Sequence, residues 1–452
     1  MRLTIGVHHF PPKFTGGAEL HAYHTARWLS AEGHDVQIVT VESITSGPTK
    51  GVYAVNDEYR GLKVHRLSFN CSNQKDLFSW EYDNPWIYQD LFEYFHQMKP
   101  DLFHLFSGYL LGAGAIKAAI SNQVPVVITL TDFWFFCPRI NMVKPDGEIS
   151  DAITFDARNC TRCKFEERRR YLWPALFAPR LADKFWTTSM DADWSRSLGI
   201  ESMHEEFILR NSTLVAALSS ASAIICPSKF LMDSAHKRGL PEEKIHFIQH
   251  GIDKSDWILT RERKRNELFR IGYLGQLDQN KGIHLLIKAF QHLPDELPLE
   301  LKIYGDDSPG TRYIQYIKKL AKGDPRIKFL GKYEYRKVAD ILSHLDGIVI
   351  PSTWNEIGPL VMYEALEVKT PIIASNIPNM SDIIQHEENG LLFECGDWND
   401  LASQLLRMIE EDDLCDVLIE KMKPVRSFND EMQALDMVYQ GTFNKVEIGL
   451  ER

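Results

Sequence analysis

An α/β protein built from two doubly wound parallel-sheet domains is the fold class this sequence predicts. Three observations predict it. At 452 residues the chain is longer than one core usually supports. Short β-branched runs alternate with amphipathic helical stretches, and the alternation starts afresh near Arg270. Several runs lead through a glycine or proline turn into a helix, the pattern of a parallel sheet covered on both faces.

The first domain is expected at 1–255. Leu3 to His9 reads as its first strand, followed by the loop FPPKFTGG and a helix from about Ala18 to Leu29. Gly16 and Gly17 precede that helix, where glycine permits positive φ and close approach of a ligand to backbone N–H groups; a simple tight turn is the plainer alternative. Strands follow at Asp35 to Val41, Gly61 to Leu67, Pro100 to Phe106 and Val124 to Trp134, with helices at Pro85 to Met98 and Gly112 to Ser121. Ser220 to Gly239 and Lys244 to Asp253 close the domain.

An insert at about 138–210 breaks the alternation. Cys160 and Cys163 form a C-x2-C pair, and Cys137 precedes them. Thiolates at such spacing suit a structural zinc, which takes four ligands; only three cysteines are evident, and free thiols packed in a loop are the other reading. The run Glu166 to Phe177 carries Arg168, Arg169, Arg170, Tyr171 and Trp173. It reads as a peripheral contact for an anionic membrane surface or a phosphorylated acceptor, or as a solvated helix face. Asp191 and Asp193 spell D-x-D, a metal–nucleotide motif where it closes a strand, here without a strand end to support it.

The second domain is expected at 265–428. RIGYLGQL, LELKIYGDD, RIKFLGKY, LDGIVIPS and TPIIASN are its successive strands. Two stretches carry chemistry. In PSTWNEIGPLVMYE (Pro351 to Glu364), Glu356 and Glu364 flank a strand-to-helix turn. Gly358 opens the backbone and Pro359 stands where a helix can start. A helix starting there aims the N–H groups of Gly358, Leu360 and Val361, with Pro359 between them, and its positive end at an anion above the strands. In Arg270 to Phe290, Lys281 and Gly282 sit at a helix start, and a lysine beside open amides suits a diphosphate.

Together, in this order, these elements resemble glycosyltransferase family 4, a retaining family with the GT-B fold. The resemblance runs over nearly the whole chain and is strongest from Arg270 to Phe393. It implies two Rossmann-like domains facing an interdomain cleft, with a last segment, 429–452, whose helix packs back on the first domain. It matches the E-x7-E motif to Glu356 and Glu364, and the phosphate lysine to Lys281. It implies that Gly16 and Gly17 close over the donor's phosphates, and that Gly331, Lys332 and Tyr333 hold the base. Glu356 would contact the donor sugar and Glu364 the ribose. Two positions depart from the family: Thr131–Asp132 stands for a histidine–aspartate pair near the sugar, and Gln276 stands for an arginine at the phosphates. Asp132 is then expected to share the catalytic role, with Thr131 and His104 as sugar contacts.

The resemblance implies a metal-independent transferase that moves a sugar from a UDP- or GDP-linked donor to an acceptor hydroxyl, with no cofactor required. Bacterial surface polysaccharide, lipopolysaccharide or glycolipid assembly is the expected setting. A sugar-nucleotide epimerase of the same fold and a non-catalytic nucleotide-sugar-binding protein are the other readings, and Thr131 and Gln276 lend weight to the latter. The net charge of -11 argues against a nucleic-acid partner. No run of eighteen apolar residues is present, the amino terminus reads as a strand, and the seven cysteines include several inside apolar runs. A cytoplasmic protein, peripheral at most to the inner face of a membrane, is expected.

Overall fold

A computed structural model describes residues 1–14, 16–74, 77–150, 153–189, 193–258 and 268–450, the side chains of 193–194 and 444–450 excepted. Asp191 of the D-x-D pair lies outside the described residues, as does the side chain of Asp193. The chain divides into two compact units, residues 1–248 with 432–452, and residues 249–431. The division therefore falls at 248/249, earlier than the expected linker between 255 and 265.

The first unit holds an eight-stranded sheet of β1 (Arg2–Val7), β2 (Asp35–Ser43), β3 (Tyr53–Tyr59), β4 (Leu62–Ser68), β5 (Leu102–Phe106), β6 (Val126–Thr129), β7 (Ala223–Cys226) and β8 (Ile245–Phe247). The order is β3-β4-β2-β1-β5-β6-β7-β8. All described pairings are parallel except β3 with β4. Strand β3 was not expected: its sequence YAVNDEY is polar and mostly exposed, as an edge strand is, and lacks the apolar run used to find the others. The helices Pro85–Met98 and Gly112–Ser121 start and stop where the sequence places them. Asn84 caps the first, accepting from the N–H groups of Trp86 and Ile87, ahead of Pro85. Within 432–452, Tyr439 is buried and its hydroxyl meets His104 Nδ1 at 2.6 Å.

The second unit holds β9 (Phe269–Leu274), β10 (Leu299–Tyr304), β11 (Ile327–Gly331), β12 (Gly347–Ile350), β13 (Ile372–Ser375) and β14 (Leu391–Phe393). All of its pairings are parallel, in the order β11-β10-β9-β12-β13-β14. The chain runs outward from β9 to β11, then crosses to β12 on the other side of β9. Helices after β9 and β12 consequently leave in opposite directions, and the strand carboxyl ends open a crevice between them. Strands β12 and β13 are buried along their whole length, which is why GIVI and IIAS read as continuous apolar runs. Leu286, Phe290, Leu301, Val349 and Leu405 lie in the core beneath.

Candidate functional site

The loops after β9 and β12 are tied together at that crevice. Asp278 caps a short turn, Gln279–Lys281, by accepting from the Asn280 N–H. Gly282 then adopts φ 69°, and a Cβ there would lie 1.8 Å from the Pro351 carbonyl oxygen. Only glycine fits both the left-handed backbone and the close approach. The Thr353 N–H donates to the Asn280 carbonyl at 2.8 Å, completing the seam.

This seam delivers Lys281 to Glu356. The Lys281 ammonium donates to Glu356 Oε1 at 2.6 Å, Ser352 Oγ donates to the same oxygen at 2.6 Å, and Trp354 Nε1 at 2.9 Å. Glu356 is 5% exposed, and the Trp354 ring lies 5.2 Å from the Lys281 nitrogen. Three donors converge on Oε1, whereas no described group donates to Oε2. The carboxylate is thus held by one oxygen and free to accept with the other. Asn379 anchors the Glu356 carbonyl through its side-chain nitrogen. The Oδ1 atoms of Asn355 and Asn379 are buried with no hydrogen-bond partner, two further acceptors beside the same turn.

The helix Leu360–Val368 starts directly behind this carboxylate. Pro359 is its N-cap and no side chain caps it, so its first N–H groups remain open. Gly358, at φ 127°, turns the backbone into it. Pro359, Leu360 and Val361 are partly exposed, as an open helix end requires. Glu364 lies on this helix, 3% exposed, and burial pushes its carboxyl up to about 7 despite a hydrogen bond from Tyr335. Burial and the Glu364 charge push the Tyr333 phenol up as well. The loop after β11, with Gly331 at φ 74°, exposed Lys332, Tyr333 and Tyr335, therefore stands beside Glu364. Gln276 is exposed after β9, and its carbonyl accepts from the Tyr273 hydroxyl at 2.6 Å. Sequence reasoning missed Ser352, Trp354, Asn355, Asn379 and Tyr335. The first three lie inside the E-x7-E stretch or next to it, but no spacing rule marks them.

The first unit holds the other expected site residues. His104 is mid-strand in β5 and 1% exposed, with Nε2 2.7 Å from Thr129 Oγ1 and Nδ1 engaged by Tyr439. Burial brings it down to about 3. It is a neutral core residue and no sugar contact. Gly16 has φ −73° and ψ 178°, so neither it nor Gly17 uses positive φ. A Cβ on Gly16 would lie 2.5 Å from Glu19 Oε2. The Glu19 carboxylate beside this helix end lies 3.4 Å from His8 Nε2, and no side chain caps the helix. Asp132 spends both oxygens within the unit: Ser107 Oγ donates at 2.5 Å and the Trp134 N–H at 2.8 Å. It braces the loops after β5 and β6. Thr131 Oγ1 beside it is buried with no partner.

The cysteines Cys137, Cys160 and Cys163 are all free thiols. Their sulfurs do not gather within 4.8 Å of one another, as ligands of a shared ion must. Burial pushes Cys160 up to about 11 and Cys163 to about 12, and the buried Arg210 guanidinium lies in the same neighbourhood. This arrangement does not fit the zinc expectation.

Residues 257–424 match the family model described as glycosyl transferases group 1, and residues 15–146 match that described as glycosyltransferase family 4. The two stretches together span more than half of the chain. The chain belongs to glycosyltransferase family 4. Among curated relatives of this family 4 chain, N-acetyl-alpha-D-glucosaminyl L-malate synthase of Bacillus anthracis is 24% identical over 211 residues, 45% of this chain and 54% of that protein. The match thus spans about half the length of that relative. Glycogen synthase of Mycobacterium tuberculosis is 22% identical over 91% of this chain and 86% of its own. Sucrose-phosphate synthase from Thermosynechococcus elongatus superposes with a TM-score of 0.65 at 16% identity, covering 98% of this chain and 99% of the other. Anabaena HepE in complex with UDP and glucose gives 0.62 at 15% identity, covering 97% and 99%. Those likenesses establish the GT-B fold.

Proposed function

We propose that this family 4 member transfers a sugar from a UDP- or GDP-linked donor to an acceptor hydroxyl with retention at the anomeric carbon. The observation that carries the reading is Lys281 and Glu356 meeting at the switch-point crevice, beside the uncapped start of the helix Leu360–Val368. As the bond from the anomeric carbon to the diphosphate breaks, the electron pair and negative charge pass to the leaving group. The Lys281 ammonium and the N–H groups near Gly358 to Val361 stabilise that charge, preorganised so that no reorientation is needed in the transition state. Glu356, fixed by Oε1, accepts from sugar hydroxyls through Oε2. Glu364 takes the ribose, with Tyr333 and its loop beside the base. The acceptor oxygen bonds to the anomeric carbon, and its proton leaves with the departing phosphate oxygen, so no second protein carboxylate is required.

Names of similar proteins support a nucleoside-diphosphate donor: HepE is seen with UDP and glucose, and the starch synthase IV catalytic domain of Arabidopsis with ADP and acarbose. The lipopolysaccharide galactosyltransferase WaaB and the amylovoran glycosyltransferase AmsK of Erwinia amylovora support surface-glycan assembly as the setting. Incubation of the protein with UDP- and GDP-sugars, with product analysed by mass spectrometry, tests the reading. Release of nucleoside diphosphate from one donor is expected, undiminished by a chelator, because lysine and helix end supply the positive charge. Loss of release in the chelator, or none from any donor with or without acceptors, contradicts it.

A further inference from the structure

The insert holds two short helices, Arg169–Phe177 and Pro179–Ser189. Their inner side is satisfied: Tyr171, Phe185 and Trp186 pack with Phe165 and Ile200 in a small core of their own. Their outer side is not. Trp173 is 60% exposed, Leu176 49%, Phe177 78% and Leu181 71%. Spacings of three and four residues put Trp173, Leu176 and Phe177 on one stripe, and the Trp173 and Phe177 rings meet edge to face at 5.9 Å. The helix Arg169–Phe177 buries none of its residues. Such a concentration of large apolar side chains marks an interaction surface.

The charges beside it identify the partner. Acidic neighbours are already engaged: Glu166 and Asp183 by Arg162, and Glu167 by Arg139 and Lys164. Among the described residues, Arg168, Arg169, Arg170, Arg180 and Lys184 pair with no carboxylate. Arg169 and Arg170 lie one turn before Trp173 on its face, and Lys184 lies one turn after Leu181. Cations with no carboxylate partner among the described residues therefore border the apolar stripe, Arg170 also lying over the Tyr171 ring, on a chain whose net charge is -11. A surface both apolar and anionic, with phosphates at the level of the arginines and hydrocarbon below, complements this arrangement. Neither helix is long enough to cross a bilayer.

We propose that this hairpin docks the chain on an anionic lipid bilayer. Trp173, Leu176, Phe177 and Leu181 enter the headgroup boundary, and Arg169, Arg170, Arg180 and Lys184 lie over lipid phosphates. Flotation of the full chain with phosphatidylglycerol-containing vesicles, against vesicles of phosphatidylcholine alone, tests it. Binding to the anionic vesicles is expected, weakening as salt rises. The double substitution Trp173→Ser with Phe177→Ser should lower partitioning about tenfold or more. Arg169→Glu with Arg170→Glu should lower it at low salt and flatten the salt dependence. Both pairs are exposed and should leave the thermal transition in place; the charge pair removes no apolar packing and serves if the first variant misfolds. Equal binding to neutral vesicles, no binding to anionic ones, or binding unchanged in both variants overturns the proposal. So does a wild-type dimer that the Trp173/Phe177 variant converts to monomer in the absence of vesicle binding.

Discussion

Glu356→Gln is expected to reduce kcat/KM for transfer about 10²-fold, the loss of one or two hydrogen bonds to a charged acceptor, while leaving the fold intact. The amide oxygen of glutamine can take the place of Oε1 and keep the donors Ser352 and Trp354. Its NH2 group then stands where Oε2 was, donating where the sugar hydroxyls need an acceptor. Function and packing are thereby separated. Glu356→Ala removes both and strands the Lys281 ammonium, so it is a less clean test. Rates measured beside a circular-dichroism melt distinguish the cases: a folded Glu356→Gln protein with wild-type turnover removes Glu356 from the mechanism.

Glu364 carries the second large effect. Its carboxyl is held near 7 against an ordinary 4.5 because burial penalises the charge. Between those values the folded protein holds this proton more tightly than the unfolded chain does. Stability contributed by the protonated form is present below about pH 4.5, falls as pH rises through about 7, and is lost above it. The difference amounts to about 3 kcal/mol at most. Glu364→Gln should therefore match the wild type near pH 5 and exceed it in Tm at about pH 8, with a flatter pH profile. A ribose diol donating to the carboxylate favours the ionised form. Nucleotide binding to the wild type should then release a proton near pH 6.5 and tighten as pH rises to about 7. The variant should lose roughly 10- to 100-fold in affinity at high pH, along with that proton release. Calorimetry in buffers of different ionisation enthalpy reads the proton directly. Identical profiles for the two proteins contradict the ribose role.

The sequence made the second unit legible because its chemistry is local. Lys281, Gly282, Gly358 and Pro359 announce themselves as turn and helix-start residues, and buried parallel strands such as GIVI and IIAS need no partner to be recognised. Long-range features were not legible. His104 is decided by Tyr439, which lies 335 residues away, and by Thr129. The idle oxygen of Glu356 depends on Ser352 and Trp354 both choosing its other oxygen. Glycine at Gly16 is explained by the Glu19 carboxylate beside it, not by backbone conformation. Strand β3 is polar on an edge, and β14 has only three residues. The helical hairpin of the insert shows its basic run in sequence, but the exposure of Leu176, Phe177 and Leu181 depends on which side its small core fills.

Lys281 and an open helix end are proposed to cradle a diphosphate, and calorimetric titration of wild type and Lys281→Met tests that most directly. UDP, GDP and ADP are each compared with the parent nucleoside. For the preferred base, the wild type is expected to bind the diphosphate about 10²-fold more tightly than the nucleoside. Lys281→Met should cut that advantage roughly tenfold and leave nucleoside affinity unchanged. An undiminished preference for the diphosphate in the variant, or none in the wild type, would contradict it.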